Sequence, residues 1–207
     1  LANDREFQKR YMFPVEYKKS KKEVGLLEAD EGVTPIVKEV MAKLKPVIAG
    51  GVHSFGAQTH PADGNSGIIV STREKAKELS TDSSIEIQII SYGFARAPKA
   101  HMAMAVVPSA RMALEKAGLG IKEMKAVKTH NPFAANDLYL AKEMEIDFRT
   151  FNNYGSSMIY GHPQGPTAGR GIIEMIEELV LLGGGYGMFA GCAAGDTGAA
   201  LIVKVSC

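Results

Sequence analysis

Strand-like and helix-like patterns alternate along the chain from Ser84 onwards, and this alternation restricts the possible folds more than any other feature. Ile85, Ile87 and Ile89 alternate with polar residues, which is the period of a half-buried strand. The later predicted strands are 126–129, 186–191 and 198–205, and the later predicted helices are 109–116, 132–144 and a long one after 163. Alternation of this kind predicts an α/β layered fold.

Shorter patterns complete the predicted architecture. A helical pattern at 34–44 interrupts a polar, charged opening, 68–71 has the apolar run of a short buried strand, and 72–79 is a short helix. The segment from Ser91 to Val107 is predicted to be an irregular connection, and Ser109 to cap the following helix. The last two strands should be antiparallel, because the turn between them is too short for a parallel crossover.

Composition narrows the class of protein. The 207 residues are enough for one or two domains with a sizeable core. A net charge of +1 without a basic face argues against nucleic acid as a partner. No apolar run approaches the ~20 residues that span a bilayer, and no signal peptide is visible, so no membrane partner is predicted. The two cysteines, Cys192 and Cys207, form no disulfide framework, which favours a reducing, cytoplasmic setting.

A histidine precedes the longest helical pattern, in the stretch GHPQGPTAGR at 161–170. His162 lies between Gly161 and Pro163, and Pro163 suits a first helical turn because its missing N–H would have no partner there. The start of a helix presents unpaired N–H groups and a partial positive charge. The stretch therefore predicts a site for developing negative charge beside His162.

A second glycine-rich stretch, which contains a cysteine, begins about 20 residues after Arg170, a spacing that suits one helix and a return strand. Gly183 to Gly185 end the helix, and Cys192 opens the tight turn CAAG. Taken singly, a buried cysteine is more often a small hydrophobe, and a histidine beside glycines is more often a turn residue. Together, each beside a glycine-rich turn, they favour a catalytic site.

A second histidine stands at a similar junction, in the stretch THNPFAAND at 129–137. His130 ends a predicted strand, and Pro132 suits the first turn of the next helix. His130 and His162 should therefore both project from the edge of the sheet. The alternative is a capping or core histidine.

The three stretches GHPQGPTAGR, GCAAGDTGAALI and THNPFAAND resemble motifs of the thiolase family, enzymes that make or cleave 3-oxoacyl-CoA thioesters. The resemblance implies a layered α-β-α half-domain with a mixed five-stranded sheet, preceded by part of a loop domain. Residues 1–50 would be the tail of the loop domain that covers coenzyme A, 51–83 the last loop and strand of an N-terminal half, and 84–207 the C-terminal thiolase domain. Because the chain opens LANDREFQ and matches only one of two similar halves, we expect a fragment or a separate subunit.

The resemblance also implies a role for each site residue in Claisen condensation or thiolytic cleavage of 3-oxoacyl-CoA. The nucleophilic cysteine would belong to the missing N-terminal half, and His162 would be the base that activates it. Cys192 would move the α-proton of acetyl-CoA, and His130 would stabilise the enolate oxygen. The backbone N–H of Ala194 would serve the oxyanion, provided that its backbone angles do not require glycine. Thr59 would lie near the pantetheine arm.

Some residues depart from the family pattern. The family usually has Asn-Glu-Ala-Phe where this chain has His130-Asn131-Pro132-Phe133, although some branches begin with histidine. Ser156, Ser157 and Tyr160 replace smaller or more apolar residues, which could reshape the acyl pocket. The lysines of YKKSKK at 17–22 are either a solvated surface or contacts for the phosphates of coenzyme A. His53 and His60 are interpreted as loop or surface histidines.

Two other functions stay open at this point. One is a 3-oxoacyl-carrier-protein synthase-like condensing enzyme, which would need no cysteine at the position of Cys192. The other is a non-catalytic, thiolase-like partner subunit that binds acyl-CoA. No metal ion and no permanently bound cofactor are predicted, with a coenzyme A thioester as substrate. The expected protein partners are the N-terminal half and further copies of the chain, as a dimer or tetramer.

Overall fold

The computed structural model describes residues 5–207, so the first four residues of the predicted 1–50 segment lie outside the described part. A small antiparallel sheet, β1 (Val15–Lys18) and β2 (Val24–Leu27), opens the chain. The second sheet contains β3 (Glu86–Arg96), β4 (Met124–His130), β5 (Gly185–Ala193) and β6 (Thr197–Ser206). The helices are α1 (Lys38–Met41), α2 (Arg73–Leu79), α3 (Val106–Ala117), α4 (Ala134–Met144), α5 (Ser157–Tyr160) and α6 (Thr167–Leu181).

The second sheet is mixed, with the strand order β3-β6-β5-β4. Strands β4 and β5 are parallel, whereas β6 is antiparallel to both β5 and β3, which confirms the predicted antiparallel end of the chain. The α/β class is confirmed, but the sheet has four strands where five were expected. The prediction of a strand at 68–71 is wrong: this segment pairs with no strand in residues 5–207, and Ile69 is 85% exposed.

Helices cover both faces of this sheet. One face packs against α3 and α4 around Leu140, Met188 and Ile202, and the other packs against α6 around Met175 and Leu179. Each core is built from side chains that alternate along the strands, so the predicted layering is confirmed. No helix among residues 5–207 combines the length and the apolar character needed to cross a membrane.

Strand β3 is longer than the sequence pattern predicts. A bulge between Ile89 and Ser91 shifts the alternation, after which Ser91 and Gly93 face α3 and the strand continues. Gly93 lets α3 approach closely, since a Cβ there would lie 2.2 Å from the carbonyl oxygen of Ser109. The capping role expected of Ser109 is wrong, because its hydroxyl donates to the carbonyl oxygens of Ala105 and Val106 from inside the helix.

A buried ion pair joins α6 to the sheet. Lys128 Nζ lies 2.5 Å from Glu174 Oε2, with side chains that are 2% and 1% exposed. The ammonium also donates to the carbonyl oxygen of Gly155 at 2.7 Å, so the charge is well compensated. This pair fixes β4, α6 and the connection between them behind the loop that carries His162.

Candidate active site

His130 is the last residue of β4, in register with Gly191 of β5. Its side chain is buried, with 8% exposure. The parallel ladder leaves no space for a side chain at position 191, since a Cβ there would lie 3.0 Å from the Cβ of His130. Gly191 therefore leaves room for the side chain of His130 beside the end of the strand that carries Cys192.

His162 reaches the same place from the loop between α5 and α6. The loop is held by backbone contacts to an upstream segment: His162 N donates to the carbonyl oxygen of His60 at 2.8 Å, beside a bridge between Pro61 and His162. The ring centroids of His130 and His162 are 4.2 Å apart, with the planes inclined at 35°.

His130 lies at the junction of β4 and α4, as predicted, whereas His162 lies between two helices and α6 begins only at Thr167. The expectations of a strand-to-helix junction at His162 and of Pro163 in the first helical turn are therefore wrong. The structure nevertheless brings the two imidazoles into contact.

Thr167 determines which nitrogen of His162 carries the proton. Its hydroxyl donates to the carbonyl oxygen of Pro163 at 2.7 Å, and its oxygen lies 2.8 Å from His162 Nδ1. The one hydroxyl proton is already used, so Nδ1 must donate and carry the hydrogen. A neutral His162 therefore has an unprotonated Nε2, which is the arrangement of a general base.

His130 has an equivalent support in Ser157. The Ser157 hydroxyl oxygen lies 3.1 Å from His130 Nδ1, accepts the backbone N–H of Asn131 at 3.2 Å, and donates to Asn131 Oδ1 at 3.0 Å. With its proton on Asn131, Ser157 accepts from Nδ1 and leaves Nε2 of His130 unprotonated. If the hydroxyl turns to Nδ1 instead, Nε2 becomes a donor.

Asp137 holds the ends of the segment that carries His130. Its carboxylate accepts the Thr129 hydroxyl and the Asn131 amide, both at 2.6 Å, and the Asn152 amide at 3.2 Å. Asn152 adopts a left-handed φ of 51° and accepts the backbone N–H of Thr129 at 2.9 Å. Burial raises the pKa of Asp137, and these three donors oppose that shift.

Burial keeps both histidines neutral at physiological pH. Desolvation, followed by the charge of the neighbouring imidazole, lowers the pKa of His130 from 6.5 to about 4. Burial also lowers the pKa of the half-buried His162. The pair can therefore accept one proton more readily than two.

Cys192 lies near the end of β5, one residue beyond the partner of His130. The thiol is buried, and Asn136 Nδ2 of α4 donates to its sulfur at 3.3 Å. Burial raises the pKa of Cys192, and the Asn136 hydrogen bond lowers it in part. The structure thus places Cys192 on the strand next to His130, as the sequence motifs suggested.

The remaining predicted site residues lie outside the cluster of His130 and His162. Ala194 is exposed in the turn between β5 and β6 and lies outside the set of left-handed residues, so its backbone does not require glycine. The Thr59 hydroxyl donates to the Ser157 carbonyl oxygen, and its N–H donates to the Pro132 carbonyl oxygen at 2.8 Å. The lysines of the YKKSKK segment are exposed, Lys18 at the end of β1 and the others in the turn between β1 and β2.

Sequence reasoning missed several supporting residues, and His60 is the clearest case. Its ring packs against the backbone of Gly161, where a Cβ would lie 3.0 Å from the imidazole, and its buried Nε2 has no hydrogen-bond partner among residues 5–207. His60 lies in a loop, one of the two interpretations offered, but its Nε2 faces the interior rather than the surface. Asn136 and Asp137, on the first turn of the helix after His130, could have been noticed from that spacing.

A cavity of about 610 Å³ borders the site between the N-terminal segments and α6. Its lining includes His60, Pro163, Arg170, Tyr11 and Phe13. The cavity thus reaches Pro163, next to His162, although neither imidazole of the pair is among its lining residues.

Comparisons with known proteins all match this chain to the same family. Residues 84–205 match the family description "Thiolase, C-terminal domain". A 3-ketoacyl-CoA thiolase of Alteromonas mediterranea is 36% identical over 187 residues, which cover 80% of this chain and 42% of the relative. The mitochondrial 3-ketoacyl-CoA thiolase of Homo sapiens is 29% identical over 205 residues, which cover 98% of this chain and 51% of the relative. The chain spans about half the length of these relatives.

Solved structures resemble the chain over the same extent. The crystal structure of the Bacillus anthracis acetyl-CoA acetyltransferase has a TM-score of 0.88 at 27% identity and covers 96% of this chain and 50% of that one. Human mitochondrial 3-ketoacyl-CoA thiolase in complex with CoA has a TM-score of 0.76 at 26% identity, covering 88% and 46% respectively.

Proposed function

The chain belongs to the thiolase family, and from this premise we propose that it contributes the acid–base and oxyanion part of a thiolase-type acyltransferase site. The reaction would be Claisen condensation or thiolytic cleavage of a 3-oxoacyl-CoA such as acetoacetyl-CoA. The names of the relatives, 3-ketoacyl-CoA thiolase and acetyl-CoA acetyltransferase, support this class of reaction. Residues 1–50 and 51–83 would be the loop-domain tail and the end of an N-terminal half, with 84–207 as the C-terminal domain.

One observation carries the proposal: His130 and His162 lie in contact beside the strand that carries Cys192, and each Nδ1 contacts a hydroxyl, that of buried Ser157 or that of partly buried Thr167. Claisen condensation needs a deprotonated thiol to carry the acyl group and a carbon acid deprotonated for C–C bond formation; thiolysis is the reverse, with the departing enolate taking up the proton. A neutral imidazole with a free Nε2 suits the first task, and a thiol with a tunable pKa suits the second.

His162 would act as the base for the nucleophilic cysteine. It removes the thiol proton through Nε2, and the imidazolium then donates to the thioester oxygen, whose negative charge it stabilises. The nucleophile would come from an N-terminal thiolase half, carried by the same gene or by a separate chain.

Cys192 would take the α-proton of acetyl-CoA as a thiolate and return it in the reverse direction. His130 would donate to the enolate oxygen through Nε2 after the Ser157 hydroxyl turns towards Nδ1. The Ala194 N–H would stabilise the tetrahedral oxyanion. Thr59 would support the pantetheine region through its contacts with Pro132 and Ser157 rather than through a free hydroxyl.

The substrate would approach through the cavity beside Pro163, with acyl-CoA as the small-molecule partner. A homo-oligomer, dimer or tetramer, and a cytoplasmic location remain part of the proposal. The two cysteines are consistent with a reducing compartment.

The main alternative is a non-catalytic acyl-CoA-binding partner subunit, which the half-length match keeps open. The presence of Cys192 argues against a 3-oxoacyl-carrier-protein synthase, because such enzymes need no cysteine at this position. A scaffold would likewise gain nothing from two depressed histidine pKa values beside a buried thiol.

The test is CoA-dependent cleavage of acetoacetyl-CoA by the enzyme as isolated, with this chain as wild type or His162→Ala. Loss of a positioned acid–base group should lower kcat at least ~100-fold. A matched control is His101→Ala, which changes an exposed histidine bonded only to the carbonyl oxygen of Lys99. Equal turnover by the His162→Ala variant and the wild type would support the non-catalytic alternative instead.

A further inference from the structure

Asn136 is a fully buried amide with an unusual set of partners. It lies on the first turn of α4 with 1% exposure, and its Nδ2 donates to Cys192 Sγ at 3.3 Å. Its Oδ1 is buried and has no hydrogen-bond partner in residues 5–207. An unpaired buried carbonyl lowers the stability of the fold.

The surroundings of Asn136 would accept an apolar side chain. Leu140, one turn later on α4, is fully buried in the same core as Met188, Ala190 and Cys192. A leucine at 136 would therefore leave no polar atom unsatisfied. The stability of the fold therefore does not explain why an amide occupies position 136. The hydrogen bond from this amide to the sulfur of Cys192 offers another reason.

We propose that Asn136 is a positioning residue for Cys192: its amide donates to Sγ, orients the sulfur at the end of β5, and stabilises the thiolate form. The catalytic consequence rests on the function proposed above, in which Cys192 moves an α-proton. The effect on the thiol itself does not depend on that function.

The other groups near Cys192 leave this role to Asn136. His130, on the neighbouring strand, is bonded at Nδ1 to Ser157 and is neutral at physiological pH. Asp137, the next residue of α4, directs its carboxylate to Thr129, Asn131 and Asn152. Asp196, in the turn after β5, accepts the backbone N–H of Ala100. Besides Asn136, the hydrogen bond that favours the thiolate comes from the backbone of Cys192 itself.

The experiment measures the pKa of Cys192 directly. Cys207→Ser leaves Cys192 as the only thiol of the chain, because the sequence has two cysteines. The ultraviolet absorbance of the thiolate is then titrated, with the double variant Cys192→Ser/Cys207→Ser as the blank for tyrosine ionisation.

In the Cys207→Ser background, Asn136→Leu should raise the pKa of Cys192 by about one unit, the size expected for one charge-assisted hydrogen bond. The thermal midpoint should not fall, because the unpaired carbonyl is removed together with the donor. Asn136→Ala, which cannot overpack the site, should raise the pKa in the same direction. Asn136→Gln, which retains an amide, should give a pKa of Cys192 between those of the parent and of Asn136→Leu.

Ser109→Ala is the matched control, since it removes a fully buried hydroxyl whose partners are local carbonyl oxygens of α3. It should leave the pKa of Cys192 unchanged. The inference is overturned if Asn136→Leu and Asn136→Ala titrate like the parent. If Asn136→Leu raised the pKa of Cys192 but left the rate of acetoacetyl-CoA thiolysis unchanged, the positioning role would be confirmed and the proposed function of Cys192 would be contradicted. Failure of the inference and failure of the proposed function can therefore be told apart.

Discussion

The imidazoles of His130 and His162 lie with their centroids 4.2 Å apart, although the helices α4 and α5 separate the two residues in the chain. Each ring uses Nδ1 to contact a hydroxyl, Ser157 for one and Thr167 for the other. The two Nε2 atoms are therefore the nitrogens available for proton transfer. This arrangement makes the pair a unit whose protonation states are linked.

The pair should make stability depend on pH in a predictable direction. The unfolded chain binds a proton at His130 near 6.5, whereas the folded chain binds it at about 4, so the unfolded state holds more protons between these values. The contribution of His130 to the free energy of unfolding should therefore fall by roughly 3 kcal/mol as the pH drops from 6.5 to 4, and then level off.

His130→Asn isolates this contribution, because asparagine keeps a polar group near Ser157 but does not titrate. Denaturant unfolding of both proteins at several pH values gives the difference in the free energy of unfolding. We expect the advantage of the wild type to shrink towards acid pH. Parallel curves between pH 7 and 4 would show that His130 is not held neutral by the fold.

Thr167→Val should change the tautomer of His162. Without the hydroxyl, Nδ1 loses its acceptor, and neutral His162 should become a mixture of both tautomers. Nitrogen-15 NMR of the imidazole reports the hydrogen-bearing nitrogen directly, and Thr167→Ser should restore the wild-type pattern. A wild-type His162 protonated at Nε2 would contradict the assignment of Nε2 as the basic nitrogen.

Lys128→Met should destabilise the fold strongly. It removes the ammonium partner of the buried Glu174 carboxylate, which keeps the Arg170 guanidinium at 3.1 Å, so the loss should lie at the lower end of the about 3–5 kcal/mol expected for breaking a buried pair. Lys75→Met is a suitable control, because Lys75 pairs with Glu78 on the surface and such pairs contribute less than about 1 kcal/mol. Equal losses in the free energy of unfolding would mean that the buried pair is not a structural anchor.

The alternation of strands and helices could be read from the sequence because each core face repeats regularly. The segment 68–71 could not, since a short apolar run specifies burial only if a neighbouring strand is available to pair with it. The continuation of β3 beyond Ser91 was hidden by the bulge, which shifts the alternation by one residue.

Motif spacing predicted that His130 and Cys192 end neighbouring strands, and the loop before α6 brings His162 against His130. The side chains that support them were not predictable in the same way. Thr167 contacts His162 across one turn of chain, but Asn136 meets Cys192 only because α4 packs against β5. Such contacts depend on tertiary packing, and a single sequence carries no periodic signal for them.

The most direct test of the central claim is exchange of the acetyl-CoA methyl protons with deuterium in D₂O, since this step needs Cys192 and the oxyanion donors but no acyl-enzyme. The wild-type protein should accelerate the exchange, Cys192→Ser should lower the rate at least ~100-fold, and Cys207→Ser should leave it unchanged. Exchange at the buffer rate in the wild type, or at equal rates in the wild type and Cys192→Ser, would contradict the assignment of these residues to thiolase chemistry.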